Sequence, residues 1–194
     1  MVVAGRIVVL NGTSSAGKTS TALAFQELRA QSGELWIVVA LDDFLAKVPR
    51  RWVEVGEWAG SFARDGMQLV RDGERANFHI GEQAKRLMRA YRRSVRETAL
   101  AGINVIVDEV SLQEPEWLDW SEALDGLGAL WVAVHCDVEI ASRREAARGD
   151  RELGLVRGQA EVVHRYPAYD FEVDTTVTPV EDVVRKLDEF VGVL

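Results

Sequence analysis

Eight residues near the start of the chain have the types and spacing that bind a polyphosphate. The stretch from Gly12 to Thr19 reads GTSSAGKT, which matches the pattern G-x-x-x-x-G-K-[ST] between an apolar strand pattern and a helical one. Glycines let backbone N–H groups approach phosphate oxygens, Lys18 adds a cation for the β- and γ-phosphates, and the Thr19 hydroxyl suits Mg²⁺. The alternative is a glycine-rich turn with a surface lysine, but such a turn does not require a strand before it and a helix after it. The residues expected to bind ATP are Gly12, Thr13, Ser14, Ser15, Ala16, Gly17, Lys18, Thr19 and Ser20.

Five apolar runs alternate with helical patterns along the chain. Their near-continuous valine and isoleucine content is typical of strands that are buried on both faces of a parallel sheet. The runs lie at 6–10, 35–41, 103–110, 129–136 and, more weakly, 169–176, and helical periodicity covers 18–30, 82–101, 138–148 and 180–193. This alternation predicts one α/β domain over residues 1–194, with helices on both sides of a parallel five-stranded sheet.

Carboxylates follow two of these predicted strands, at the edge where ligands bind in such folds. Asp108 and Glu109 end the third run. We expect Asp108 to hold Mg²⁺ together with Thr19, directly or through water, and Glu109 to share the metal or orient water. A helix-capping or turn role for Asp108 is the alternative.

Asp42 and Asp43 follow the second run and are the candidate general bases. A kinase that phosphorylates an alcohol needs a carboxylate within hydrogen-bond reach of the hydroxyl. Asp43 is better suited to capping a helix that starts near Phe44, so we favour Asp42 as the base.

A basic segment follows the fourth run and contains Arg143, Arg144, Arg148 and Arg151. Arg144 and Arg148 lie one helical turn apart and share a face. We expect them to neutralise the transferring phosphoryl group, with Arg144 also binding the nucleotide, from a lid over about 143–158. The alternative is a solvated helix whose arginines pair with Glu139, Glu145 and Asp150.

The segment from about 44 to 81 interrupts the alternation and is interpreted as an insertion on the acceptor side. It contains a hairpin pattern about Asp72-Gly73. Trp52, Trp58 and Phe62 either line a pocket for an apolar or aromatic substrate or form a small core of their own.

Composition limits the partners of the chain. Its 194 residues carry a formal net charge of −8, which argues against nucleic acid or an anionic membrane as the main partner. Cys136 is the single cysteine, and with no signal or membrane-spanning pattern this fits a cytoplasmic enzyme. The expected partner is a small hydroxylated acceptor, and the oligomeric state stays open.

Longer strings resemble the chloramphenicol phosphotransferase family, and the resemblance covers most of the chain. The matching positions are Leu10–Thr19, Asp42 with Pro49, Ile106–Val110, Trp131–Asp137, Glu145–Arg151, Val163-His164 and Tyr169–Thr176. The resemblance implies a P-loop kinase fold similar to shikimate kinase and ATP-dependent phosphorylation of a primary hydroxyl of the antibiotic, which inactivates it. It also implies that Asp42 is the base and that the lid arginines lie between Arg144 and Arg151.

The resemblance weakens on the acceptor side. Asp43 stands where the family has a small hydroxyl residue, and 44–66 matches poorly beyond Pro49. Two other functions therefore stay open: a P-loop kinase of another metabolite or nucleoside-type molecule, and a regulatory nucleotide-binding protein without an acceptor. The carboxylate after the second strand argues against the regulatory protein, because a nucleotide switch needs an ordered water rather than an alcohol base.

Overall fold

A parallel five-stranded sheet forms the centre of the molecule in the computed structural model, which describes residues 3–54, 60–149 and 152–193. In chain order the elements are β1 (Ile7–Asn11), α1 (Lys18–Gln31), β2 (Trp36–Ala40), α2 (Leu41–Leu45), a 3₁₀ turn (Arg50–Trp52), β3 (Met67–Asp72), β4 (Arg75–Ile80), α3 (Glu82–Leu100), β5 (Asn104–Glu109), α4 (Glu114–Ala123), β6 (Leu130–His135), α5 (Val138–Arg148), α6 (Leu155–Gln159), β7 (Phe171–Asp174) and α7 (Val180–Val193).

The sheet has the strand order β2-β5-β1-β6-β7, with all neighbours parallel. Its central strand β1 is buried along its whole length, as its apolar sequence predicts. Phe25 of α1 and Leu187 of α7 pack on one face of the sheet, and Tyr91 of α3 and Trp120 of α4 pack on the other. The predicted α/β fold with helices on both sides is therefore confirmed.

The phosphate-binding motif forms the joint between β1 and α1. Gly17 precedes the helix with φ of 93°, a left-handed conformation that favours glycine. Gly12 passes so close to β6 that a Cβ atom would lie 2.4 Å from the Val134 carbonyl oxygen. Ser15 adopts a left-handed conformation with φ of 57°. Left-handed residues such as these are typical of the backbone nests in which N–H groups bind an anion.

The predicted hairpin is present as β3 and β4, joined by Gly73 and Glu74. Helix α6 packs directly against it. The Ala76 N–H donates to the Gly154 carbonyl at 2.9 Å, and a Cβ on Gly158 would lie 2.1 Å from the Ala76 carbonyl oxygen. The hairpin therefore packs against α6, which forms the end of the segment predicted to be a lid.

Two helices, α4 and α6, lie where the sequence predicted none, and α2 begins at Leu41 rather than near Phe44. Helix α4 begins with a capping box between Gln113 and Glu116, which satisfies its first N–H groups. The strand predicted over 35–41 ends at Ala40, because Leu41 already begins α2. Within the described residues, none of the helices combines the length and the apolar character that crossing a bilayer requires.

Candidate active site

A cavity of about 440 Å³ lies beyond the carboxyl ends of the strands. Its walls come from the phosphate-binding loop, from α2 and the hairpin, from α3, α5 and α6, and from the residues that follow β5 and β7. A cavity of this volume can enclose a small ligand. The sequence-predicted residues that line it are Ser14, Ser15, Gly17, Lys18, Thr19, Ser20, Asp42, Asp108, Arg144 and Arg148.

Three predicted loop residues lie behind this surface rather than on it. Gly12, Thr13 and Ala16 are buried. The Thr13 carbonyl accepts a hydrogen bond from Lys18 Nζ at 2.8 Å, and the Ala16 carbonyl accepts one from the Thr175 hydroxyl at 2.6 Å. These two residues therefore shape the loop through their carbonyl groups.

Lys18, Thr19 and Asp108 are assembled at the floor of the cavity. The Thr19 hydroxyl donates to the Asp108 carboxylate, and Lys18 Nζ lies 3.7 Å from Asp108 Oδ1. The buried Ser15 hydroxyl has no hydrogen-bond partner among the described residues. Because buried polar groups are normally paired, this hydroxyl suits a ligand oxygen. The loop therefore fits a polyphosphate, and the oxygens of Thr19 and Asp108 are of the type that Mg²⁺ prefers.

Arg144 is fixed beside the phosphate-binding loop by Thr175. Its Nη2 donates to the Thr175 carbonyl at 2.7 Å and its Nη1 donates to the Thr175 hydroxyl at 3.2 Å. Since the Thr175 hydroxyl donates to the Ala16 carbonyl, the residue that follows β7 links the arginine to the loop. Arg148 lines the same cavity one turn further along α5. Arg151 and Asp150 lie outside the described residues.

The alternative of a solvated α5 is wrong for Glu145. This side chain is only 2% exposed. Its two oxygens accept the N–H groups of Gly154 at 2.8 Å and Val156 at 3.0 Å. Glu145 therefore anchors the start of α6 to α5 instead of pairing with surface arginines.

Asp42 lies in the first turn of α2, is exposed, and lines the cavity. Asp43 is also exposed but does not line it. The expected helix start near Phe44 is wrong, because α2 begins at Leu41 after Ala40 and no side chain caps it. Asp43 is therefore not a capping residue, and of the two aspartates Asp42 is the one at the cavity.

The expectation that Glu109 shares a metal or orients water is wrong. Glu109 is 2% exposed, and its carboxylate accepts hydrogen bonds from the Val110 N–H at 2.8 Å and from Trp120 Nε1 at 3.0 Å. Burial raises the pKa of its carboxyl group to about 7, against the opposing effect of nearby Arg92. Consecutive strand residues point to opposite faces, so Glu109 lies under α4 while Asp108 faces the cavity.

The lining of the cavity includes a group of apolar side chains from α2, the hairpin, α3 and the segment after β5: Leu45, Met67, Phe78, Ile80, Met88 and Leu112. Gln113 and Glu116, two polar residues next to Leu112, line the cavity as well. Trp52 and Phe62 are not among these residues. Their rings pack on each other with centroids 5.1 Å apart, as a small core would require, but Trp52 also lines a second cavity of about 200 Å³ that shares Leu45 and Met67 with the main one. Both interpretations of these aromatic residues therefore keep support, and Trp58 lies outside the described residues.

Several cavity residues were not found from the sequence. Gln159 of α6 accepts the Ser14 N–H at 2.7 Å, and Thr175, Thr178 and Val180 complete the wall next to Arg144. Ser14 and Gln159 are 145 positions apart, and no spacing rule connects them. The string shared with the family from Tyr169 to Thr176 contained Thr175, but gave no indication of its contacts.

Sequence comparison identifies the family of the chain. The family described as chloramphenicol phosphotransferase-like protein matches residues 5–192. The chain belongs to this family. A candidate O-phosphotransferase from Mycobacterium tuberculosis strain H37Rv is 37% identical over 193 residues, covering 95% of this chain and 81% of that protein.

Solved structures show the same fold at low sequence identity. The APS kinase of Mycobacterium tuberculosis matches with a TM-score of 0.66 and 14% identity over 97% of this chain and 98% of its own. Shikimate kinase from Acinetobacter baumannii matches with a TM-score of 0.57 and 14% identity over 96% and 93%. This chloramphenicol phosphotransferase-like chain therefore has the P-loop kinase fold, as predicted.

Proposed function

We propose that this chain transfers the terminal phosphoryl group of ATP to a hydroxyl of a small, uncharged and largely apolar molecule, with chloramphenicol as the first candidate. The observation that carries the proposal is that Asp42 and the phosphate-binding loop line one cavity. A carboxylate next to a phosphate site is what alcohol phosphorylation needs. Membership of the family and the O-phosphotransferase relative support the same reaction class.

Each group at the site has a role in this reaction. Lys18 and the loop N–H groups bind the β- and γ-phosphates, and Arg144 and Arg148 neutralise charge on the phosphoryl group that moves. Mg²⁺, held by Thr19 and Asp108, supplies further neutralisation of the phosphate charge when bound. Asp42 accepts the proton of the acceptor hydroxyl as the hydroxyl oxygen attacks the γ-phosphorus of ATP, whose bond to the bridging oxygen breaks so that ADP leaves.

The lining of the cavity supports an uncharged acceptor. Among the described residues that line it, the cations are Lys18, Arg144 and Arg148, and all three belong to the loop or to α5. The wall next to Asp42 is formed instead by apolar side chains such as Phe78 and Met88. A buried acceptor carboxylate or phosphate would lack a cationic partner at that wall, which is unfavourable. A neutral molecule with an aromatic ring, such as chloramphenicol with its nitrophenyl ring, suits this wall better than an anionic acceptor.

An acceptor panel tests this proposal. The chain would be incubated with Mg²⁺ and ATP and with chloramphenicol, other neutral hydroxylated molecules, nucleosides and anionic hydroxy acids, and both ADP release and the mass of the phosphorylated product would be measured. We expect product with neutral acceptors and none with hydroxy acids. Lys18→Met serves as the control without an intact phosphate site. ADP release without any phosphorylated acceptor would favour a regulatory nucleotide-binding protein and contradict the proposal.

A further inference from the structure

One carboxylate in the wall of the main cavity has no part in the chemistry proposed above. Glu116 lies in the first turn of α4 and lines the cavity that Asp42 and the phosphate-binding loop also line. Its side chain is half-buried, and no lysine or arginine of the described residues pairs with it. An ionised carboxylate accepts hydrogen bonds and donates none, so Glu116 favours ligands that carry donor groups.

The start of α4 fixes the position of this carboxylate. Glu116 Oε2 accepts the backbone N–H groups of Leu112 at 2.7 Å and of Gln113 at 3.1 Å. The Gln113 side chain in turn accepts the backbone N–H of Glu116, which completes the capping box. The other oxygen, Oε1, accepts no hydrogen bond from the described residues. One oxygen is thus held by the helix start, and the other keeps its capacity to accept.

The sheet brings Glu116 and Asp42 to the same edge. Strands β2 and β5 are parallel neighbours, with Ala40 paired to Asp108. Asp42 lies two positions after Ala40, and α4 begins six positions after Asp108. The helices that carry the two carboxylates therefore both start beyond the carboxyl ends of adjacent strands, where ligands bind in such folds.

Helices α2, α3 and α4 also form one layer on the same face of the sheet. Phe44 of α2 contacts Tyr91 of α3 with ring centroids 5.0 Å apart, and Tyr91 contacts Trp120 of α4 at 5.5 Å. Helices α1 and α7 pack on the opposite face. Asp42 and Glu116 thus reach the cavity from one layer of helices.

The surroundings of Glu116 determine the kind of donor that suits it. Leu112, which donates its N–H to the carboxylate, is one of the apolar residues of the cavity, as are Leu45 of α2 and Met88 of α3. An ammonium group would have to lose its water beside such side chains, which costs more than removing water from a neutral N–H or O–H group. An amide N–H or a hydroxyl is therefore the better partner.

We propose that Glu116 is a specificity residue for the acceptor: its Oε1 accepts a hydrogen bond from a second donor group, an amide N–H or a hydroxyl, on the molecule whose reacting hydroxyl Asp42 activates. The inference rests on the proposed function, because it takes the cavity to hold the acceptor. It narrows the substrate class to neutral alcohols that combine an apolar part with a second hydrogen-bond donor.

Two acceptors that differ in one donor group test the proposal. An alcohol that the acceptor panel shows to be phosphorylated and that contains an amide N–H would be compared with the analogue in which an ester oxygen replaces this N–H. For the wild type, we expect the KM of the amide to be about 10- to 100-fold lower, the value of one hydrogen bond to a charged group. The KM for ATP should be the same with both acceptors.

Glu116→Gln should abolish or reverse this preference. The glutamine oxygen can still accept the N–H groups of Leu112 and Gln113, so its NH₂ group takes the position of Oε1 and offers a donor instead of an acceptor. We expect the KM of the amide to rise to that of the ester or above, a change that a role in helix capping alone does not produce. Glu114→Gln is the matched control, because Glu114 also lies in the first turn of α4, is exposed and does not line the cavity.

The possible failures of the two proposals are distinguishable. Equal KM values for the amide and the ester with the wild type, or an unchanged preference in Glu116→Gln, would overturn the inference. A panel in which the accepted alcohols carry no second donor would overturn it as well. If Glu116→Gln does not fold, the comparison within the wild type decides. Absence of ester from every alcohol in the panel would instead contradict the proposed function.

Discussion

The hydroxyl of Thr19 donates a hydrogen bond to the carboxylate of Asp108, a residue 89 positions later in the chain. The sheet order explains the contact. Strand β5 lies next to β1, with Asp108 paired to Leu10, so the end of β5 lies beside the first turn of α1. The two oxygen groups that we propose hold Mg²⁺ are thus brought together by the fold, and Lys18 Nζ lies 3.7 Å from the same carboxylate.

Removing the Thr19 oxygen should raise the Mg²⁺ requirement. Thr19→Val has nearly the same shape but no hydroxyl, and Thr19 is exposed, so the fold should be unaffected. We expect the Mg²⁺ concentration for half-maximal turnover to rise about 10-fold or more, in line with the loss of one ligand. Thr19→Ser should stay close to the wild type. The measurement is a Mg²⁺ titration of turnover at saturating nucleotide, and an unchanged midpoint in Thr19→Val would argue against a role in metal binding.

Removing a side chain from the apolar wall should weaken binding of the acceptor and leave binding of the nucleotide unchanged. Phe78→Ala removes an aromatic side chain from the wall of the main cavity. We expect the acceptor KM to rise about 10-fold or more, the effect of losing a large apolar contact, while the KM for ATP stays within about twofold. Phe62→Ala is the matched control, because Phe62 is 47% exposed and lies outside that cavity. Equal effects of the two variants on the acceptor KM would contradict this assignment of the acceptor side.

His164 should make the stability of the fold depend on pH. Burial, assisted by nearby His135, lowers the pKa of His164 from 6.5 to about 4. Between pH 6.5 and about 4 the unfolded chain therefore binds a proton at His164 that the folded chain does not bind. The contribution of neutral His164 to the free energy of unfolding is therefore fully present above about pH 6.5 and is lost as the pH falls toward 4. His164→Gln should reduce this loss. Urea unfolding at several pH values, compared between variant and wild type, gives the measurement; parallel curves would exclude His164 as a cause.

The strands of the sheet and the position of the phosphate-binding loop can be predicted from the sequence, because short local patterns specify them. Runs of valine and isoleucine mark strands buried on both faces, and the glycine-lysine-threonine spacing marks the joint that follows β1. The start of α2 could not be read in this way. The apolar pattern continues from Ala40 into Leu41 without a capping side chain, so nothing local separates strand from helix.

The parts of the site that the sequence did not reveal depend on tertiary contacts. Gln159 and Thr175 reach the phosphate-binding loop from distant elements, and only the packing of α6 and β7 brings them there. Glu109 is a different case, because strand alternation already places it on the face opposite Asp108. Applying that rule would have removed it from the metal site before the structure was known.

The pair Asp42 and Asp43 offers the most direct test of the central claim, that a carboxylate at the cavity activates an acceptor hydroxyl. With Mg²⁺, ATP and an accepted alcohol from the panel, formation of the phosphate ester would be followed by ³¹P NMR for the wild type, Asp42→Asn and Asp43→Asn. The account predicts that Asp42→Asn forms ester about 10²- to 10⁴-fold more slowly, the range for loss of a general base, while calorimetry shows unchanged binding of the ATP analogue. Asp43→Asn should retain the wild-type rate. Ester formation at the wild-type rate in Asp42→Asn would contradict the account.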